Sequence, residues 1–196
     1  SLTAALASGA AASWSPDSAR VLVLKPNESQ QVEACALHLV DFSLACAALA
    51  VNVSMATWSP REALWAMVYQ GANGQCVGLF NVDTQHLQDY ECGATYTRPS
   101  WSPDGAQVVY MRLKGSDTAE VVVRHIGEGS ETRYRPNVMS YLAEWQSDTR
   151  ILIQGGHKDY LLNPQNGSIT PANQQPSTRH ASALDPTERY EASVML

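Results

Sequence analysis

The sequence lacks the features that would point to a catalytic or nucleic-acid-binding protein. It contains no Gly-x-Ser-x-Gly nucleophile elbow, no Walker-type phosphate loop and no Gly-x-Gly-x-x-Gly motif. Its 13 Lys and Arg residues are outnumbered by 19 Asp and Glu residues, for a net charge of −6. A protein that follows a phosphate backbone usually presents a basic face. We therefore expect no enzymatic activity, no cofactor and no nucleic-acid partner.

The sequence also lacks an uninterrupted apolar run of membrane-spanning length. The most apolar stretch, residues 34–56, is broken by four polar residues: His38, Asp41, Asn52 and Ser54. Because a spanning helix tolerates buried charge poorly, two strands joined by a turn are the better interpretation. Residues 1–12 are rich in Ala but lack the positively charged start and long apolar core of an intact signal peptide. We expect no direct membrane insertion.

The five histidines are not spaced as metal ligands. No two of them form a His-x-x-x-His pair, and we interpret all five as core or surface residues: His38, His86, His125, His157 and His180.

Phenylalanine is also scarce, with 2 residues against 5 Trp and 8 Tyr. That bias favours half-buried pleated surfaces over a helical bundle. At 196 residues the chain can bury a sizeable core without a metal.

What the sequence does contain is a repeat of 43 or 44 residues. A Trp-Ser-Pro block occurs three times, and a degraded fourth copy keeps the Trp; the repeated positions are Trp14, Trp58, Trp101 and Trp145, with Pro16, Pro60 and Pro103. The tryptophans are 44, 43 and 44 residues apart. A half-length fifth copy without the Trp lies at 184–190. Self-similarity at this period is the signature of a repeat architecture.

Each repeat is predicted to hold four short strands. The Trp ends the first strand, and Ser-Pro-Asp-Gly forms a β-turn in which Pro presets φ. Three further apolar or weaker segments follow, separated by turn residues, and no stretch has a convincing helical period. Four strands per 43 or 44 residues is the arithmetic of a β-propeller blade.

The predicted fold class is therefore all-β, a single β-propeller domain over residues 1–196. It has four recognisable blades and a partial fifth, at about residues 4–48, 49–92, 93–136, 137–173 and 174–196. An N-terminal strand at 1–6 could pair with the last strands and close the ring, which would remove exposed sheet edges. Alternatively, another chain or residues outside this sequence complete the ring. Both alternatives stay open.

The repeated Trp-Ser-Pro-Asp-Gly followed by an apolar strand resembles the TolB-like, or PD40, type of WD40-related propeller repeat. Leu2 and Thr3, about ten residues before Trp14, resemble the usual end of an outer strand in that family. The second copy departs from the pattern at Arg61, and the fourth at Gln146 and Ser147. The resemblance implies a propeller in a bacterial periplasmic setting with a protein partner. Similar repeats also occur in sensor domains of membrane-tethered regulators.

Two groups of residues invite a chemical interpretation. The repeated carboxylates Asp17, Asp104 and Asp148 could form a ring of charge, but an Asp in a Ser-Pro-Asp-Gly turn normally bonds its own backbone. We therefore assign them to the turns. Prolyl-oligopeptidase-type enzymes carry similar propellers, but their activity lies in a separate hydrolase domain with a nucleophile elbow.

The four cysteines are more informative. Cys35 and Cys76 fall on third strands, and Cys46 and Cys92 fall on the fourth strands that follow them. Because third and fourth strands are antiparallel neighbours, the topology favours the disulfides Cys35–Cys46 and Cys76–Cys92. The alternative is four buried free thiols. The spacings of 11 and 16 do not suit zinc. Disulfides would place the protein in an oxidising compartment, either periplasmic or otherwise extracytoplasmic.

These observations lead to a hypothesis about function and two alternatives. The first is a non-catalytic, extracytoplasmic propeller that binds a protein or peptide, or serves as a scaffold or sensor. The second is the substrate-gating propeller of a larger peptidase. The third is a propeller that binds a small ligand or sugar. No binding residue can be assigned from the sequence.

Overall fold

The computed structural model describes residues 13–49, 51–114, 118–136, 140–156, 158–172, 182–184 and 191–193. All regular secondary structure in these residues is β-strand, and the strands form five antiparallel sheets. Among them no helix is long and apolar enough to cross a membrane. The all-β fold class predicted from the repeat is confirmed.

Four of the sheets have four consecutive strands each, plus one extra segment in the third. The first holds β1 (Ser13–Trp14), β2 (Arg20–Pro26), β3 (Val32–His38) and β4 (Leu44–Cys46). The second holds β5 (Asn52–Trp58), β6 (Leu64–Gly71), β7 (Gly74–Asn81) and β8 (His86–Cys92). The third holds β9 (Thr95–Tyr96), β10 (Ser100–Trp101), β11 (Gln107–Lys114), β12 (Thr118–His125) and β13 (Glu131–Tyr134). The fourth holds β14 (Ser140–Ser147), β15 (Arg150–Gly155), β16 (Tyr160–Leu162) and β17 (Ile169–Pro171). We call these sheets blades one to four.

The inner strand of blade three is split into two pieces. Both β9 and β10 pair with β11, so the segment from Thr97 to Pro99 interrupts one strand. Pro99 has no backbone N–H to donate to the ladder, which favours a break at this point. The interruption gives the inner edge of blade three an irregular outline.

The last sheet has two strands, β18 (Ser182–Leu184) and β19 (Glu191–Ser193), and β18 contacts β1 of blade one. These two strands therefore form a small sheet beside the first blade, and residues 185–190 of the half-length fifth copy lie outside the described residues. The predicted N-terminal strand at 1–6, and Leu2 and Thr3 within it, lie outside the described residues.

The core lies between successive blades, because the strands alternate residues between two faces. On β11, Val108 and Tyr110 pack against blade two, whereas Val109 and Met111 pack against blade four. Blades one and two share a third cluster, in which Trp65 packs edge-on against Trp58. Blades two and three are thus buried on both faces by their neighbours.

The Ser of the Trp-Ser-Pro block explains why the motif recurs. Ser102 is buried, and its Oγ accepts a hydrogen bond from the Gln107 N–H at 2.9 Å and donates to Asp104 at 2.6 Å. Ser15 makes the equivalent bond to the Arg20 N–H at 2.9 Å. Asp104 in turn accepts the Ala106 N–H at 3.0 Å. The hydroxyl and carboxylate satisfy the turn backbone, as the sequence interpretation of these Asp residues predicts.

The hairpin that joins the third and fourth strands has the same form in all four blades. The residue near its end has a left-handed backbone conformation in each: Phe42 (φ 55), Gln85 (φ 55), Gly129 (φ 66) and Gly167 (φ 72). In blades one, three and four, the residue immediately before the hairpin loop donates its N–H to the carbonyl of the residue five positions later in the sequence. Glycine adopts this conformation without strain, but a side chain at that position costs free energy.

Candidate binding site

A cavity of about 280 Å³ lies between the inner strands of blades two and three. Its lining comes from neighbouring copies of the repeated block: Ser13, Thr57, Trp58, Pro60, Arg98, Pro99, Ser100, Trp101, Ser102 and Pro103. Small-molecule sites usually enclose about 300–1,000 Å³. This cavity is therefore sized for one or two side chains rather than for a whole ligand of drug size.

Hydroxyl side chains tie the inner strands together around this cavity. The Trp58 N–H donates to Ser13 Oγ at 2.8 Å, and the Trp145 N–H donates to Ser100 Oγ at 3.1 Å. Thr57 occupies the same place in the second copy, and its hydroxyl donates to the Pro99 carbonyl at 3.2 Å. In the first three copies of the repeat, the residue before the tryptophan thus forms a hydrogen bond to the next blade.

Two of these hydroxyls can donate a hydrogen bond as well as accept one. A serine hydroxyl has one proton to donate besides its acceptor positions. Ser13 and Ser100 each accept from a tryptophan N–H, and neither hydroxyl donates to another group in the described part of the chain. The cavity therefore offers hydrogen-bond donors that suit a carbonyl or carboxylate oxygen.

A charged pair marks the rim of the cavity. Arg98, in the break between β9 and β10, forms a salt bridge with Glu144 on the inner strand of blade four. About a third of the Arg98 side chain is exposed, so its guanidinium faces both the pair and solvent. Guanidinium groups bind carboxylates through paired N–H donors. An incoming carboxylate would have to compete with Glu144 for Arg98.

The aromatic side chains of the lining are fixed in place. Trp58 and Trp101 are buried, and the Trp101 Nε1–H donates to the Thr57 carbonyl at 3.2 Å. The Arg20 guanidinium covers the Trp58 ring at 5.0 Å from its centroid. These rings therefore form rigid apolar walls rather than free stacking platforms, and the polar contacts come from the hydroxyls and Arg98.

A second concavity, of about 360 Å³, lies on blade four. It is lined by Thr149, Arg150, Leu161, Leu162, Asn163, Ser168 and Thr170. It contains no residue from the inner strands and shares no lining residue with the first cavity. It provides a matched location for control substitutions.

The structure forms the two disulfides that the sequence favours. Cys35 bonds to Cys46 and Cys76 bonds to Cys92, each linking the third and fourth strands of one blade. The Cα separations are 3.9 and 4.1 Å, shorter than the separation of about 5.5–6 Å that is most common in disulfides. The reason is register: both pairs are directly opposite at non-hydrogen-bonded positions, where antiparallel strands approach most closely.

The Cys35–Cys46 disulfide determines whether a nearby group of side chains can bind a metal. Glu33 lies beside Cys35 and Cys46, and the three side chains are close enough to suggest a metal site. Cysteine binds a metal through its thiolate sulfur, and the sulfur atoms of Cys35 and Cys46 are bonded to each other. Two of the histidines, His38 and His125, lie at the ends of third strands, and His125 Nδ1 lies 3.3 Å from Gln107 Nε2.

A network of ion pairs joins blades two and three away from the cavity. Arg112 contacts Glu91 at 2.7 Å and Glu120 at 3.1 Å. Arg135 contacts Glu120 at 2.9 Å, and Arg133 lies 3.6 Å from it. Burial opposes ionisation of Glu120, but hydrogen bonds from Arg135 and Arg112 outweigh it and hold its pKa below the usual range. This network stabilises the interface between the blades.

The sequence analysis identified the tryptophans and prolines of the cavity as repeat positions but did not identify its hydroxyl residues or Arg98. Ser13, Thr57 and Ser100 all precede a tryptophan of the repeat, so a hydroxyl residue recurs at one position in three copies. That recurrence was a usable signal for contacts between blades. Arg98 carries no such signal, because its role depends on Glu144, which lies 46 residues away.

Comparison with solved structures identifies the fold. The chain superposes on a TolB from Agrobacterium tumefaciens, described as putative, with a TM-score of 0.71 and 15% identity, covering 94% of this chain and 79% of that one. TolB from Acinetobacter baumannii matches with a TM-score of 0.67 and 13% identity, covering 91% and 46%. The propeller domain of the Trilobed protease from Pyrococcus furiosus, which has an open velcro topology, matches with a TM-score of 0.64 and 12% identity, covering 85% and 57%.

The chain therefore has the fold of a TolB-like β-propeller, as the repeat motif predicts. It spans about half of the length of the Acinetobacter TolB structure. Enzymes are also among the matches, including an oligogalacturonate lyase in complex with manganese and an acylaminoacyl peptidase. No family model matches the sequence, and no curated protein matches it.

Proposed function

We propose that this chain is a non-catalytic, extracytoplasmic β-propeller domain that binds a protein or peptide at its inner strands. The observation that carries the proposal is the cavity between blades two and three, which has the size of a side chain and is lined by hydroxyl donors and Arg98. A peptide segment supplies both an apolar side chain for such a cavity and carbonyl oxygens for the donors at its wall.

The extracytoplasmic location is supported by chemistry and by similarity. Disulfides persist in oxidising compartments and are rare in the cytosol, and this chain pairs all four of its cysteines. The similarity of its fold to TolB structures points the same way. The periplasm is the compartment that we propose.

A random peptide library displayed on phage tests the proposal. We expect peptides selected on the purified chain to bind a Ser100→Ala or Arg98→Ala variant at least tenfold more weakly. Ser100→Thr serves as the matched control, because the equivalent position of blade two is Thr57 and the hydroxyl is retained. Thr170→Ala, on the concavity of blade four, should leave binding unchanged.

The outcomes separate clearly when the folding of each variant is checked by thermal unfolding. Peptides that bind wild type and all folded variants equally would contradict the assignment of the site. Failure to select any peptide would contradict peptide binding.

A second candidate is the substrate-gating propeller of a larger peptidase. The likeness to the propeller of the Trilobed protease favours it, although at 12% identity this likeness concerns the fold alone. A fluorophosphonate probe that labels the full-length gene product, but not this isolated chain, would support the peptidase. Absence of labelling in the full-length product would support the binding propeller.

A further inference from the structure

The hairpin between β3 and β4 carries an exposed apolar tip that the other blades lack. We define the blade-one tip as Val40, Asp41 and Phe42. The Val40 side chain is 92% exposed and the Phe42 side chain is 65% exposed. The positions equivalent to Val40 in the other hairpins are polar or Gly: Asp83, Gly127 and Gln165. The tip is thus a local departure from the repeat rather than a property of the hairpin.

Phe42 also occupies a backbone position that disfavours it. Its φ is 55°, and the equivalent residues of blades three and four are Gly129 and Gly167. A side chain in the left-handed region crowds its own backbone, and a bulky one does so most. Glycine would therefore suit the fold better than Phe at this position.

Packing within the described part of the chain does not compensate for the strained conformation of Phe42. Its ring is largely in solvent, and it belongs to none of the four core clusters of described residues. By contrast, Leu39, at the start of the same loop, packs into the core of blade one. An exposed aromatic ring in a strained conformation is better explained by contact with a partner than by folding.

The charge between the two apolar side chains indicates the chemistry of that partner. Asp41 Oδ1 accepts hydrogen bonds from the Ser43 N–H at 3.0 Å and from the Ser43 hydroxyl at 2.7 Å. Both bonds lower the pKa of Asp41, so the carboxylate is ionised at neutral pH. An anionic membrane surface would repel this carboxylate and the net charge of −6. A protein pocket with a Lys or Arg beside it complements the tip.

We propose that the blade-one tip docks into an apolar pocket of a second protein, with Val40 and Phe42 inside the pocket and Asp41 paired with a Lys or Arg at its edge. None of the tip residues lines the cavity between blades two and three. This interaction surface is therefore separate from the proposed peptide site, and the two can be tested independently.

The first test measures the stability of the full chain. Phe42→Gly removes the backbone crowding, so the urea concentration at the midpoint of unfolding should rise. Phe42→Gln places the residue of blade two in the same conformation and serves as the matched substitution. A midpoint that falls for Phe42→Gly would mean that the ring stabilises the fold, and it would overturn the proposal.

The second test identifies the partner by photo-cross-linking in the source cells. The photo-reactive residue p-benzoylphenylalanine is placed at position 42 or, as the control, at position 85 in the equivalent hairpin of blade two. We expect one protein adduct from position 42 that is absent from position 85. The captured protein, once purified, should bind wild type at least tenfold more tightly than it binds Phe42→Gln.

Charge reversal completes the test. Asp41→Lys should weaken binding of the purified partner more than Asp41→Asn does, since the Lys side chain would repel the partner's cation. Three results would overturn the proposal: equal adducts from positions 42 and 85, adducts to lipid, or equal binding by wild type and Phe42→Gln. An effect of Asp41→Lys no larger than that of Asp41→Asn would overturn the charge pairing.

Discussion

Reduction of the two disulfides should cost this propeller a large part of its stability. Each bridge closes a loop and thereby lowers the conformational entropy of the unfolded chain. The loop has 11 residues for Cys35–Cys46 and 16 for Cys76–Cys92. The chain-entropy relation gives about 3 kcal/mol for each loop, with a difference of only about 0.3 kcal/mol between them. The sum, about 6 kcal/mol, is comparable with the whole stability of many domains, about 5–15 kcal/mol.

The assay is urea unfolding followed by tryptophan fluorescence, with and without a reductant. Reduced wild type keeps its sulfur atoms, so the difference from oxidised wild type isolates the contribution of the cross-links. A Cys35→Ala, Cys46→Ala double variant also loses packed sulfur, because Cys35 is buried. Its free energy of unfolding should therefore be about 1 kcal/mol lower than that of wild type in which the Cys35–Cys46 bridge is reduced.

Two results would refute this reasoning. Oxidised and reduced wild type that unfold at the same urea concentration would show that the bridges do not constrain the unfolded chain. Peptide mapping that finds a Cys35–Cys92 link in the native protein would contradict the strand register of both blades.

Two further predictions concern packing and charge. Gly78→Ala should destabilise the protein by about 1–3 kcal/mol in urea unfolding, because the new Cβ would lie 2.5 Å from the Gln88 carbonyl oxygen. Gly156→Ala, whose Cβ would meet no atom within 4 Å, should change stability by less than about 0.5 kcal/mol; equal effects would contradict the packing argument. Glu120→Gln should cost about 1.5–3 kcal/mol at pH 7, since it weakens the charged hydrogen bonds from Arg112 and Arg135 and leaves Arg112 with Glu91 as its remaining ion pair. Because the folded pKa of Glu120 is below its unfolded value of 4.5, this contribution is complete above that pH and is lost as the pH falls through the folded value. The difference in the free energy of unfolding between wild type and Glu120→Gln should narrow as the pH falls below 4.5. A difference that stays constant down to about pH 3 would contradict the ion-pair assignment.

The sequence predicted those parts of the fold that repeat. The Trp-Ser-Pro blocks located the first turn of blades one to three, because a buried Ser hydroxyl bonds the turn backbone and Pro presets φ there. The cysteine pairing followed from the antiparallel order of third and fourth strands, which is a local property of the chain. These inferences required only contacts within one blade.

The sequence could not predict features that depend on contacts between blades. The salt bridge of Arg112 with Glu91 and that of Arg98 with Glu144 each join side chains of different blades. The binding cavity is a case of the same kind, since its walls come from residues that lie about one repeat apart. Apart from the hydroxyl residue that recurs before the tryptophan in three copies, these positions have no local pattern that distinguishes them from ordinary surface residues.

The hydrogen bonds and the salt bridge between inner strands have a consequence for how the chain assembles. They connect residues 42 to 46 positions apart, which is one repeat. Loop-closure entropy depends on the logarithm of the loop length, so each new blade docks on its predecessor at nearly the same entropic cost. The contact of β18 with β1 closes a loop of about 170 residues rather than about 45, and this adds only about 1 kcal/mol. Blades can therefore add in chain order as synthesis proceeds, and the contact between the two ends of the chain forms last.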